Sequence, residues 1–214
     1  MSVGGRLGLF ICHECSSDFV GGSMRMEYNL VVIGAGAAGL LAAWRAAESG
    51  ASVLLLEKNN QPGRKLLISG AGRCNLTNAA PLDDFILSYF EHGRFLYSAF
   101  QRFFRPELLA LLHRQGLTFR EEAGGKLFPS SNKAADVLDA LLQACRSAGV
   151  VFQYGEPARA LVTLPAEEFK AQVMSKCSPN YKTRICAVQT SQGEYPADAR
   201  SEEHTSELQS RQVI

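Results

Sequence analysis

The chain has 214 residues, of which 46% are hydrophobic and 20% charged; that balance is globular and excludes disorder over most of its length. Lys plus Arg number 22 and Asp plus Glu 21, so the formal net charge of +1 excludes a general polyanion binder, which needs surplus cations to release counterions. No apolar run approaches the ~18–20 residues that cross a bilayer, so neither a nucleic-acid nor a membrane partner is expected.

Residues 1–25 show neither helical nor strand periodicity and read as an unstructured leader, with Met24 or Met26 as a candidate true start. Its apolar stretch, Leu7 and Leu9-Phe10-Ile11, is too short for a signal-peptide core. The six cysteines (Cys12, Cys15, Cys74, Cys145, Cys177 and Cys186) therefore read as reduced thiols of a cytoplasmic protein. Cys12-His13-Glu14-Cys15 offers half a zinc site, but no second ligand pair follows at a suitable spacing, so no metal is expected.

Periodicity begins at Tyr28. Leu30 to Ile33 is a continuous apolar run, then come a glycine cluster and an Ala/Leu-rich helix to Glu48, ended by Ser49-Gly50. Val53 to Leu56 is a second buried strand, completing a βαβ unit. Phe85 to Leu112 is dense in aromatics interleaved with Arg94, Arg102 and Arg105, but the spacing follows helical faces and predicts core packing rather than base stacking. Pro106 suits the first residue of a helix that Gly116 stops; His92 and His113 read as ordinary helix-surface residues. Ser131 or Asn132 can cap a helix from Lys133 to about Ser147, with Val137, Ala140, Leu141 and Ala144 as its apolar stripe. Gly149 ends it and Val150-Val151-Phe152 starts a third strand. Short strands are predicted at 160–162, 169–173, 185–188 and 194–197, with turns at Ser178-Pro179-Asn180 and Gln192-Gly193. The fold class is α/β: a parallel sheet with a small antiparallel excursion.

Arg200 to Ser210 reads R-S-E-E-H-T-S-E-L-Q-S, which matches at every position a widely used sequencing adapter translated in one frame. The expectation is an artefactual tail over 200–214, leaving 26–199 as the N-terminal part of a longer domain.

Chemistry concentrates in Gly34-Ala35-Gly36-Ala37-Ala38-Gly39. This G-x-G-x-x-G follows a strand, opens a helix, and precedes by ~20 residues an acid, Glu57, at the end of the next strand. Gly34 permits the tight turn, Gly36 lets amides approach a pyrophosphate, and Gly39 lets the helix pack closely. Unpaired amides at the helix start favour phosphate. Glu57 can accept hydrogen bonds from both ribose hydroxyls of an adenosine, and its charge would repel a 2′-phosphate. A second glycine loop from Gly63 to Asn78 adds Ser69, Gly70, Gly72, Arg73, Asn75 and Thr77. Lys58, Arg64 and Lys65 supply cations. Cys74 lies beside Arg73, which could lower its pKa, though packing or cofactor contact is the expected role.

The run from Val31 to Asn78, with Leu127-Phe128-Pro129 and Lys133-Ala134-Ala135-Asp136-Val137, resembles the BaiN/RdsA-type flavoproteins, also labelled NAD(P)/FAD-dependent or aminoacetone-oxidase-family FAD-binding proteins. G-R-K followed by S-G-x-G-R-C-N-L-T-N is the most specific element. The resemblance implies an FAD-dependent oxidoreductase whose Rossmann-type, FAD-binding parallel sheet is truncated in this chain, with a small-molecule substrate and NAD(P)H as a possible electron donor. By it, the turn with Gly34, Gly36, Ala38 and Gly39 holds the pyrophosphate, Glu57 holds the adenosine ribose, and Lys58 is a further cofactor-binding candidate. Arg64 and Lys65 line the adenosine diphosphate, residues 69–77 (Cys74 among them) approach the flavin, and the main chain at Ala158 meets the adenine edge. No catalytic residue is named. In such proteins a further strand with a glycine pair, an inserted domain and a return to the FAD domain follow 195–199. Without them the chain is expected to bind FAD weakly and to expose apolar sheet edge. Two other readings stay open: an inert nucleotide-binding fragment, and an NAD-binding dehydrogenase without flavin.

Overall fold

The computed structural model describes residues 28–165 and 183–202. The leader with Cys12 and Cys15, the strand expected at 169–173, Cys177 and the turn at 178–180 lie outside the described residues.

Strand β1 (Tyr28–Ile33) leads into helix α1 (Ala37–Glu48) and strand β2 (Val53–Glu57). Helices α2 (Arg64–Ile68), α3 (Leu82–Leu87), α4 (Gly93–Phe100) and α5 (Arg105–Arg114) follow, with strands β3 (Thr77–Asn78), β4 (Phe119–Glu122) and β5 (Lys126–Pro129) around them. Helix α6 (Ala134–Ser147) then returns the chain to β6 (Val151–Tyr154), and β7 (Ala160–Pro165), β8 (Thr183–Gln189) and β9 (Glu194–Glu202) complete the set.

The main sheet has the order β6-β2-β1-β9-β8-β7. Its first four strands run parallel, while β8 is antiparallel to both β9 and β7. The parallel sheet and antiparallel excursion are therefore as expected. Strand β9 runs longer than 194–197: it continues to Glu202 and pairs its backbone with Val31–Ile33 across 200–202. Since β1 is flanked by β2 on one side and β9 on the other, the connections diverge at its carboxyl end, the place where open α/β sheets receive ligands.

Every residue of β2 is buried, which explains its unbroken apolar run. Alternation divides the two faces. Leu30, Val32, Val53 and Leu55 join α1, α5 and α6 in a large core, to which α6 contributes Val137, Ala140, Leu141 and Ala144 as its periodicity predicts. Val31, Leu54 and Leu56 face the other way and meet Val188 in a small cluster.

Several local expectations need correction. Helix α6 begins at Ala134 with Lys133 as its N-cap and no side-chain cap. Asn132 instead takes φ 59° and accepts a hydrogen bond from the Arg120 guanidinium at 2.5 Å. Helix α5 starts at Arg105, so Pro106 is its second residue, and the Glu107 carboxylate accepts from the Phe104 amide at 2.9 Å. Phe85, Phe100 and Phe104 do pack edge to face and tilted, and Phe103 meets Trp44. Phe90 and Phe95, however, are 88% and 87% exposed, so core packing does not account for them. A second, three-stranded antiparallel sheet, β3-β5-β4, was not anticipated.

Candidate functional site

The corner between β1 and α1 is built almost wholly from backbone. Gly34 has φ 101°, a conformation that favours glycine, and its amide donates to the Leu56 carbonyl at 2.7 Å. Gly36 caps α1 without a side-chain hydrogen bond, and the first turn holds no acid. The first amides of a helix lack intrahelical acceptors and carry the positive end of its dipole. Here no side chain of the helix competes for them, and Ala37 and Ala38 are exposed. A Cβ on Gly39 would overlap the Gly34 carbonyl oxygen, so helix and turn approach more closely than any side chain permits. This cradle fits a diphosphate.

Glu57, 8% exposed, ends β2 beneath that corner. Its Oε2 accepts from the Ala35 amide at 2.9 Å; its Oε1 accepts from the Asn59 amide at 2.9 Å and from Asn59 Nδ2 at 2.6 Å. The acid thereby ties the end of β2 to the glycine turn. Arg64 reaches the same group through Asn59 Oδ1 at 3.2 Å, whereas Lys58 and Lys65 are exposed. The Gly63 amide donates to the Ala35 carbonyl at 2.8 Å, hanging the second glycine loop from the first.

Next to Glu57, the Gly155 amide donates to the Asn59 carbonyl at 3.1 Å and the Glu156 amide to the Glu57 carbonyl at 3.0 Å. Ala158, half-buried, packs on the Val31–Leu54–Leu56–Val188 cluster. Glu57 and 155–158 thus form one wall. Glu156 itself is fully buried, accepting from Thr190 Oγ1 at 2.5 Å and the Tyr195 hydroxyl at 2.9 Å.

The second loop forms a separate unit. The Ser69 hydroxyl donates to the Leu66 carbonyl at 2.7 Å, and the Ser69 carbonyl accepts from Cys74 at 3.0 Å. Ala71 and Cys74 hold φ of 55° and 60°, a strain of ~1–2 kcal/mol each for residues with a Cβ. Gly70, Gly72 and Asn75 are exposed, and Thr77 lies in β3, paired with Leu127. Arg73 does not serve Cys74. Its guanidinium lies 4.3 Å from the Phe128 ring centre and donates to Glu122 at 3.0 Å, and burial pushes the Cys74 thiol up from its ordinary value of 9.0 despite a hydrogen bond with Ser69. The lowering that a neighbouring Arg73 could bring is therefore not found at this buried thiol. His113 is exposed, as expected of a helix surface. Among the described residues there is no group of three or more potential metal ligands, and no helix is long and apolar enough to cross a membrane.

Residues 28–194 match the HI0933-like protein Rossmann domain. The chain belongs to that family. It is 36% identical over 127 residues to a ribosomal RNA dihydrouridine synthase of Escherichia coli (strain K12), covering 59% of this chain and 31% of that protein. It is 37% identical over 132 residues to a 3-dehydro-bile acid delta(4,6)-reductase of Clostridium scindens, covering 61% and 32%. The chain therefore spans about a third of the length of the curated relatives it matches. The 3-ketosteroid delta1-dehydrogenase from Sterolibacterium denitrificans shares the fold, with a TM-score of 0.56 at 14% identity over 80% of this chain and 46% of that one.

Within this HI0933-like domain, sequence reasoning missed two residues that join the wall around Glu57. Asn59 had a local signal, an amide side chain two positions after the acid, a spacing that favours a side-chain-to-backbone turn. Glu156 had none, because its partners lie 34 and 39 residues away.

Proposed function

We propose that the chain is the adenosine-diphosphate-binding part of an FAD-dependent oxidoreductase. The observation that carries this reading is the Gly34–Gly39 corner with the Glu57 carboxylate seated 2.9 Å from the Ala35 amide. That corner offers amides to a diphosphate and an acid to a ribose. The flavin, when bound, supplies the electron-transfer chemistry. The chain's own residues bind and orient: α1 amides hold the diphosphate, Glu57 the ribose, and the main chain around Ala158 the adenine edge. The strained loop at 69–77 stands toward the flavin side. Its buried Cys74 thiol stays protonated at neutral pH and serves packing.

NAD(P)H is the proposed electron donor, and the cytoplasm the proposed site of action. The names of the relatives point to two substrate classes, ribosomal RNA and a bile acid; the chain's net charge of +1 supports the small-molecule class. The reading is tested by titrating the purified chain with FAD and following flavin fluorescence, then adding ADP. Saturable binding that ADP reverses is the expected result. Binding that ADP leaves unchanged overturns it.

A further inference from the structure

We infer that Glu57 receives a single ribose hydroxyl, and that Asn59 is the specificity-determining residue that blocks the second. This rests on the dinucleotide reading above. An ionised carboxylate offers about four acceptor positions, two on each oxygen. Both positions on Oε1 are filled, by the Asn59 amide at 2.9 Å and by Asn59 Nδ2 at 2.6 Å. Oε2 accepts the Ala35 amide at 2.9 Å and keeps one position. A ribose presents two adjacent hydroxyls, and only one finds a place.

The Asn59 side chain does not leave Oε1 readily. Its backbone amide grips the same oxygen, its carbonyl accepts from the Gly155 amide at 3.1 Å, and its Oδ1 accepts from Arg64 at 3.2 Å. The amide side chain is thus held at both ends, with a cation drawing on its oxygen and the acid drawing on its nitrogen. Such an arrangement strengthens the Nδ2 donor toward Glu57. The second hydroxyl of the ribose is left to water.

The test uses the whole chain and calorimetric titration with ADP, 2′-deoxy-ADP and 3′-deoxy-ADP. One deoxy analogue is expected to bind about tenfold more weakly than ADP, the loss typical of a hydrogen bond to a charged group, while the other matches ADP. In Asn59→Ala one Oε1 position opens, and the previously indifferent analogue then binds several-fold more weakly than ADP. Asn59→Ser, with a shorter donor, provides a second variant, and circular dichroism confirms folding of each. If both deoxy analogues lose equally in the parent chain, or neither does, the inference fails while the dinucleotide site stands. It fails in the same way if the indifferent analogue stays indifferent in both variants. If ADP itself does not bind, the dinucleotide reading falls, and this inference with it.

Discussion

Replacing Gly39 with alanine probes the corner at its tightest point. In an open helix the change would stabilise, since alanine is preferred to glycine by up to ~1 kcal/mol. Here the new Cβ would overlap the Gly34 carbonyl oxygen, and it would also meet Val32 Cγ1 at 3.5 Å. The obstacle is backbone, pinned by the bond from Gly34 to Leu56 at 2.7 Å, so it cannot swing aside as a side chain would. Overpacking costs ~1–3 kcal/mol, and against backbone the upper part of that range, ~2–3 kcal/mol, applies. The net is a loss of about 1–2 kcal/mol and a fall in Tm of about 2–8 °C for a domain of this size. Separation of helix from turn also pulls the α1 amides from their positions, so ADP affinity should fall at least tenfold. Gly50→Ala serves as the contrast: φ is 91° but nothing lies within 4 Å, so strain alone lowers stability and ADP binding is unchanged. Urea denaturation and calorimetry read both effects. A Gly39→Ala chain that unfolds at or above the parent's midpoint and still binds ADP would refute the reasoning.

Burial drives the Cys145 thiol up to about 12 from 9.0, which outweighs a backbone hydrogen bond and the nearby Arg146 and cuts its thiolate fraction about a thousandfold. Iodoacetamide at pH 8 should therefore label Cys145 only after unfolding, as mass spectrometry of native and urea-treated samples will show. Partial desolvation of Glu122 opposes ionisation, but hydrogen bonds and charge from Arg120 and Arg73 prevail and hold its carboxyl below 4.5. A depressed folded-state pKa stabilises fully above the unfolded value and less as pH falls through the folded one. Glu122→Gln should therefore flatten the loss of stability below about pH 4.5 and change the slope near pH 7 little, as denaturation at stepped pH will show. Thr190→Val removes one of the two hydroxyl groups that donate to buried Glu156, and should lower stability by ~1–3 kcal/mol in denaturant titration.

The βαβ unit was legible because its information is local: buried parallel strands are continuous apolar runs, and a close helix–strand corner demands glycine at set positions. The three-stranded sheet was not, because β3 has two residues and β4 buries none of its four. That sheet is placed by distant contacts instead. Arg73 meets Glu122 across 49 residues, and Arg105 donates to the carbonyls of Asn78 and Ala80 at 2.8 and 2.6 Å. The start of α6 was misplaced for a related reason, since Asn132 is recruited by Arg120 twelve positions earlier and cannot cap. In the site, Gly34, Gly36, Gly39 and Glu57 declared themselves by spacing. The orientation of Arg73 and the burial of Glu156 depend on partners that no local pattern reveals.

Among the described residues the two faces of the main sheet are unequal: α1, α5 and α6 cover one, while four buried side chains, Val31, Leu54, Leu56 and Val188, serve the other. The wall proposed for adenine leans on that side through Ala158. A nucleotide lodged between the α1 corner and Ala158 would brace the weaker flank from outside, doing for it what a buried layer does opposite. Amide hydrogen exchange should accordingly slow most at 155–162 and 185–197 when ADP is added, and least in α6, where three helices already keep water out.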